Sequence, residues 1–337
     1  MTWTRRDAGL SAAFVAIAVG LQWVPLCNVL GYEYAMAVGA TIVVLGSARV
    51  AGGETRRGPV WADFWRHTAF LAGWVAVATL VSVANMARVR NCEPGVGLAY
   101  MALFGLGAVP LTVANGMIAR HGRTPLRRAG LAALGPAVSL AATLFTLATQ
   151  PAIVAYDSFF GYYAGSIYDE SLTGFWPHVA FRAWTVATVV VLVSLMGVAA
   201  GERGHAARGL VSAALALVGW GLRGEAGVER NRAYVEEALG GFAQTEHFDI
   251  YYDAAAYRDR RLELMLYDHE ATYAQLERFW GVTPPRRLRS FVYGNAERKG
   301  ELMGGRRTMV AKIWLGEMHI TWRGLADDML AHEMAHL

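Results

Sequence analysis

Six apolar runs, at roughly residues 8 to 25, 33 to 48, 67 to 86, 96 to 119, 130 to 150 and 179 to 200, restrict this chain more than any other feature. A helix needs about 20 mainly apolar residues to cross a hydrocarbon core about 30 Å thick, and these runs come close to that length. A seventh run, 209 to 222, carries no charge but rises only about 21 Å at 1.5 Å per residue. Arg208 and Arg223 stand at its two ends, where they can snorkel and let it span.

The charges divide along the same line. Residues 1 to 222 hold 24 of the 58 charged side chains, and the remaining 115 residues hold 34. Ordinary soluble domains are about 25% charged, so the first part is too poor in charge for a soluble globule and the last third is suited to water. The expected organisation is a helical transmembrane domain at 1–222 with six or seven spans, a connecting helix at 223–245 and a water-facing domain at 246–337. A formal charge of +4 could signal nucleic acid. The arginines of the first part sit between apolar runs, however, so the partner they imply is the lipid bilayer and no nucleic acid is expected.

The same arginines set an orientation. With the N-terminus inside, Arg5, Arg6, Arg49, Arg56, Arg57, Arg66, Arg120, Arg123, Arg127, Arg128, Arg203 and Arg208 are cytoplasmic, against Arg88, Arg90 and Arg182 at the outer ends. The positive-inside rule then makes this an inner-membrane protein with a cytoplasmic N-terminus. With seven spans the region after Leu222 is extracytoplasmic, and with six it is cytoplasmic. The two cysteines, Cys27 and Cys92, fall in the first two outer loops, where a disulfide is expected at even odds with two free thiols. The outer loop 150–178 has no Lys or Arg and carries Tyr156, Phe159, Phe160, Tyr162, Tyr163 and Tyr168. It is expected to be an interfacial aromatic belt with a solvated acidic turn at Asp169-Glu170. Asn85, Asn115 and Arg182 are the polar groups near span ends, and no span has a central carboxylate, so an ion-coupled transporter has little support.

Beyond Arg223 the periodicity changes. A helix over Ala226 to Leu239 stops at Gly240-Gly241. His247 to Tyr252 alternates with period two and predicts a strand. Leu262, Met265, Leu266, His269, Tyr273, Leu276 and Trp280 line one face of a long helix that ends at Gly281 before Pro284-Pro285. A strand at Leu288 to Tyr293 leads into a glycine-rich loop. Two strand-like runs follow, Thr308 to Leu315 and His319 to Trp322, and a last helix starts near Arg323. The result is an α+β arrangement.

The last helix carries His332-Glu333-Met334-Ala335-His336, an HExxH pattern. Two histidines four residues apart stand one turn apart on one face, which suits two corners of a tetrahedral Zn2+ site. Glu333, rotated about 100° from His332, can take the proton from a water beside the metal and pass it to a leaving amine. His332 and His336 are therefore the candidate metal ligands and Glu333 the candidate catalytic base. His247 is expected at a strand edge, His269 on a core face, and Asp328 as a first-turn charge favoured by the helix dipole.

From about Glu246 to Leu337, a quarter of the chain, the sequence resembles the N-terminal half of a gluzincin, specifically the peptidase MA-like domains of bacterial membrane proteins. The resemblance rests on Glu246 to Tyr252, the long helix after it, and Leu330-Ala331-His332-Glu333-Met334-Ala335-His336. It implies a partial zincin-like fold, a protein or peptide substrate, and an edge strand at Thr308 to Leu315 that receives it. In that family the third ligand is a Glu on a later helix. The expectation is thus a C-terminally truncated peptidase, inactive as given. The rival expectations are an intramembrane protease, against which Arg323, Asp327 and Asp328 argue, and a transporter or sensor whose soluble domain is not catalytic.

Overall fold

The computed structural model describes residues 4–53, 58–164 and 175–337. Arg56, Arg57, Tyr168, Asp169 and Glu170, which entered the expectations above, lie outside the described residues. The chain divides into two compact units. One comprises Met1–Leu144, Tyr156–Tyr163 and Trp176–Val228; the other comprises Phe145–Ala155, Ala164–Phe175 and Glu229–Leu337.

The first unit is built from helices α1 (Arg5–Gly20), α2 (Tyr32–Ala51), α3 (Val60–Asn85), α4 (Pro94–Ala119), α5 (Pro125–Thr149, of which the last turn from Phe145 belongs to the second unit), α6 (Phe175–Ala199) and α7 (His205–Gly221). Five of them, α2 to α6, are long and apolar enough to cross a membrane. The first and seventh expected spans are helices of 16 and 17 residues, shorter than those five. Both α2 and α4 contain a π-helical stretch, at Ile42–Gly46 and Met101–Leu106. In α4 it lies just before Pro110, which has no N–H to give to the preceding turn.

The polar groups near span ends have structural partners. Pro136 inside α5 leaves the carbonyl of Ala132 without its helical donor, and Asn115 Nδ2 donates to that oxygen at 2.8 Å. Asn85 Nδ2 donates to Asn28 O at 2.7 Å. Arg182 reaches Leu103 O and Ser158 O, each at 2.8 Å. At one end of the unit, buried Arg49 and Arg120 meet Asp7, Asp63 and His67. Arg49 pairs with Asp7 at 2.9 Å, and Arg120 pairs with Asp63 at 2.5 Å.

The aromatic loop differs from the expected belt. It forms a small hairpin, β1 (Ala155–Asp157) and β2 (Gly161–Tyr163), with Phe159 and Tyr162 buried rather than facing an interface. Its turn is closed by Asp157, whose carboxylate accepts from Ser139 Oγ, Thr143 Oγ1 and the amides of Phe159 and Phe160 at 2.8 to 2.9 Å. Cys27 and Cys92 are free thiols, so the disulfide considered above is not formed. Hydrogen bonds tie their neighbourhoods instead, with Asn91 Nδ2 donating to Leu30 O at 2.9 Å and Arg88 to Gln22 O.

The second unit holds helix α8 (Arg232–Leu239), strands β3 (Gly240–Gln244) and β4 (Phe248–Asp253), helix α9 (Asp259–Trp280), strand β5 (Leu288–Val292), helix α10 (Ala296–Met303), strands β6 (Val310–Lys312) and β7 (Glu317–Ile320), and helix α11 (Asp328–Ala335). The sheet order is β3-β4-β5-β7-β6; β4, β5 and β7 run parallel, and both outer strands run antiparallel to their neighbours. Residues 232–244, expected as a connector, are part of this sheet domain. Gly240 ends α8 in a left-handed conformation (φ 73°) and at the same time opens β3. The expected glycine-rich loop contains α10, capped by Asn295, which accepts from Arg298 N at 2.8 Å.

Alternation along the strands builds two cores. One sheet face presents Phe248, Ile250, Leu288, Val292, Met318 and Ile320 to α9 and α11. The other presents Phe291 and Tyr293 to α8 and α10.

Candidate functional site

Helix α11 is set by the turn before it. Trp322 is buried, and its Nε1–H donates to Asp268 Oδ2 of α9 at 2.8 Å. The second oxygen of Asp268 accepts from Ala326 N at 3.0 Å. Ala326 has φ 57°, a left-handed conformation that costs a non-glycine residue about 1–2 kcal/mol, and the Asp268 contact holds it there. Asp327 then caps the helix, accepting from Met329 N at 3.1 Å. The helix therefore begins at Asp328, five residues later than the sequence suggests, with Asp328 in its first turn as expected.

One side of α11 is fastened to the core. Leu330 and Met334, one turn apart, are buried against the sheet, and Met329 and Leu337 are half-buried beside them. At about 100° per residue, His332 and His336 fall on the opposite side, and both are exposed. Glu333 lies between the two sides and is only 5% exposed. Among the described residues none donates a hydrogen bond to its carboxylate, so both oxygens remain available as acceptors.

The imidazoles converge. His332 Nε2 and His336 Nε2 are 3.3 Å apart, with ring centroids at 4.8 Å and planes at 87°. Two nitrogens bound at about 2.0–2.1 Å to one tetrahedral zinc are about 3.3–3.4 Å apart, so the pair is spaced as two such ligands are. The same spacing accommodates one long N–H···N hydrogen bond in a neutral pair. Among the described residues no group of three or more His, Cys, Asp or Glu is placed to hold a metal ion. The structure thus brings together the three residues of the HExxH pattern and adds no third ligand.

The other three histidines of the sheet domain serve the fold. His269 is fully buried; Nδ1–H donates to Met265 O at 2.8 Å, which leaves Nε2 to accept from Ser290 Oγ at 2.9 Å. Burial holds its pKa below the ordinary value, so it stays neutral. His247 pairs with Glu270 at 2.7 Å and stacks on Tyr273. On the other face of the sheet His319 contacts Tyr293 Oη through Nδ1 at 3.0 Å, and burial lowers its pKa as well.

The strand expected to receive substrate is shorter than Thr308 to Leu315. β6 covers Val310–Lys312 and turns into a 3-10 segment at Ile313–Leu315, but it is the outermost strand on its side of the sheet. Sequence reasoning gave no role to Lys312. Its ammonium donates to Leu147 O, Gln150 O and Ala152 O at 3.0, 2.6 and 2.9 Å, which engages all three of its protons. Those carbonyls belong to the end of α5 and the residues after it, where a helix dipole favours a cation. Burial lowers the Lys312 pKa to about 8.

Comparison with protein-family models, with curated proteins and with solved structures found no match for this chain.

Proposed function

We propose that the protein is a membrane-anchored zinc metallopeptidase that hydrolyses peptide bonds on the extracytoplasmic side of the inner membrane. The observation that carries this reading is the convergence of His332 and His336 at 3.3 Å on the exposed side of α11, with Glu333 beside them. Zinc, when bound, would polarise the scissile carbonyl and lower the pKa of a water toward about 7. Glu333, with no protein donor engaging its carboxylate among the described residues, accepts the proton of the attacking water and returns it to the leaving amine. A peptide would add to the sheet as an extended strand along β6. The third metal ligand comes from outside the described residues.

The membrane side of the proposal rests on α2 to α6 and on the placement of the arginines. The N-terminus is cytoplasmic, and the shorter helices α1 and α7 cross as well, which makes seven crossings and puts the sheet domain outside.

Peptide hydrolysis by the protein expressed from its native gene tests the chemistry. Glu333→Gln should abolish cleavage while leaving fold and metal in place, because the amide cannot accept a proton. Cleavage by that variant at the wild-type rate would refute the assignment and leave a transporter or sensor with a non-catalytic soluble domain as the better account.

A further inference from the structure

The first unit contains a cavity of about 610 Å³ between the C-terminal half of α2 and the N-terminal half of α5. Its lining is ordered from one end to the other. At one end are the guanidinium groups of Arg6 and Arg128, with Gly52 and Pro125. Toward the other end are Val43, Val44, Ala133, Pro136 and Phe160. Among the described residues no carboxylate lines it. From Gly52 to Val43 the helix rises about 13 Å, so the lining changes from cationic to wholly apolar over most of the roughly 15 Å hydrocarbon depth of one leaflet.

The polar end is built to leave charge available. Arg6 spends one N–H on Ala48 O at 2.6 Å, and Arg128 spends Nε–H on Gly122 O at 2.9 Å. Asp7, next to Arg6, pairs with Arg49 at 2.9 Å and with Thr4, and Arg6 acts on it only through space. Arg6 lies directly over Gly52, where a Cβ would fall on its guanidinium, so only glycine lets the arginine occupy this place. Midway along the cavity stands Ser47, 3% exposed, between Val44 and Ala48. The π-helical stretch Ile42–Gly46 and Pro136 both lie toward the apolar end.

We propose that this cavity binds one anionic phospholipid, with its phosphate between Arg6 and Arg128 and one acyl chain against Val43, Val44 and Pro136. Charge complementarity selects the anionic headgroup, because two cations favour a phosphate whose charge is not cancelled by a choline. The proposal rests on the membrane reading of α2 to α6 and is independent of the peptidase chemistry.

The test is lipid retention by the detergent-purified chain, read by native mass spectrometry with dioleoyl phosphatidylglycerol or dioleoyl phosphatidylcholine added. One phosphatidylglycerol should be held roughly 10- to 30-fold more tightly than phosphatidylcholine, as expected for two interfacial arginines worth about 1 kcal/mol each. Arg6→Gln with Arg128→Gln should remove that preference, and Arg6→Lys with Arg128→Lys should restore most of it, which separates lost charge from lost fold. Ala133→Trp, filling the apolar end, should weaken both lipids. Equal retention of the two lipids by the wild type, or an unchanged preference in the double glutamine variant, would overturn the proposal. So would displacement of phosphatidylglycerol by excess inorganic phosphate, which would make the site a free-anion site. If the protein does not sediment with membranes at all, the membrane reading itself fails, and that outcome is distinct from equal retention.

Discussion

Replacing Asp268 by asparagine tests how the candidate site is held. Its two carboxylate oxygens accept from two donors, Trp322 Nε1 at 2.8 Å and Ala326 N at 3.0 Å. An amide has one acceptor oxygen, and its NH2 would face the other donor. Hydrogen bonds to a charged group contribute about 1.5–3 kcal/mol, and a buried donor left unpaired costs about 1–3 kcal/mol. A loss of about 3 kcal/mol is therefore expected, and it falls on one segment, because Ala326 then keeps its left-handed conformation without the bond that holds it. At about 1.4 kcal/mol per tenfold, local opening of residues 322–335 should become roughly 100-fold more frequent. Amide hydrogen exchange followed by mass spectrometry reads this directly. Peptides covering 322–335 should lose protection by about two orders of magnitude while β4 and β5 keep theirs. Protection of 322–335 within about threefold of wild type would show that Asp268 does not position α11.

Other perturbations follow from single groups. Lys312 has its pKa lowered to about 8 from the ordinary 10.5, so between those pH values the unfolded chain binds more protons than the folded one and stability rises with pH. The thermal stability of wild type should gain on that of Lys312→Met by about 3 kcal/mol as pH climbs through this window, and a pH-independent difference would contradict the buried-ammonium account. His269 behaves in the same sense at lower pH: held neutral by burial, it should cost stability as pH falls through about 6.5. His269→Gln should flatten that acid limb in a denaturation series. Asn115→Leu leaves the Ala132 carbonyl without a donor beside Pro136, and about 1–3 kcal/mol of destabilisation is expected, measurable as a lower midpoint in detergent. Substituting valine for Pro136 in the same chain should recover part of the loss by giving that carbonyl a helical donor again.

What the sequence shows of the fold follows from how local each signal is. The apolar runs lead to α2 through α6 because hydrophobicity sustained over about 20 residues has few other outcomes. The alternation at Phe248, Ile250 and Tyr252 and the long face ending at Trp280 lead to β4 and α9 for the same reason. Gly240-Gly241 is ambiguous: a glycine that stops a helix and one that starts an outer strand look alike, and pairing with β4 decides between them. Gly300 and Gly304 hide α10, although Asn295 followed by Ala-Glu-Arg-Lys is a cap and a helix-forming run. The association of residues 145–155 with the sheet domain is made by Lys312 and Trp314 reaching carbonyls some 160 positions earlier and by Ile153 N donating to Met303 O, and no local pattern announces contacts at that separation. At the candidate site the spacing of His332 and His336 is legible because one helix turn fixes it. The role of Asp268 is not, since it acts through a turn 54 residues away.

Zinc content tests the central claim most directly. The protein expressed from its native gene and purified without chelators should carry zinc, lose it in both His332→Ala and His336→Ala, and keep it in Glu333→Gln. Zinc retained at the wild-type level after both histidine substitutions would show that this helix is not a metal site and would remove the basis for a peptidase.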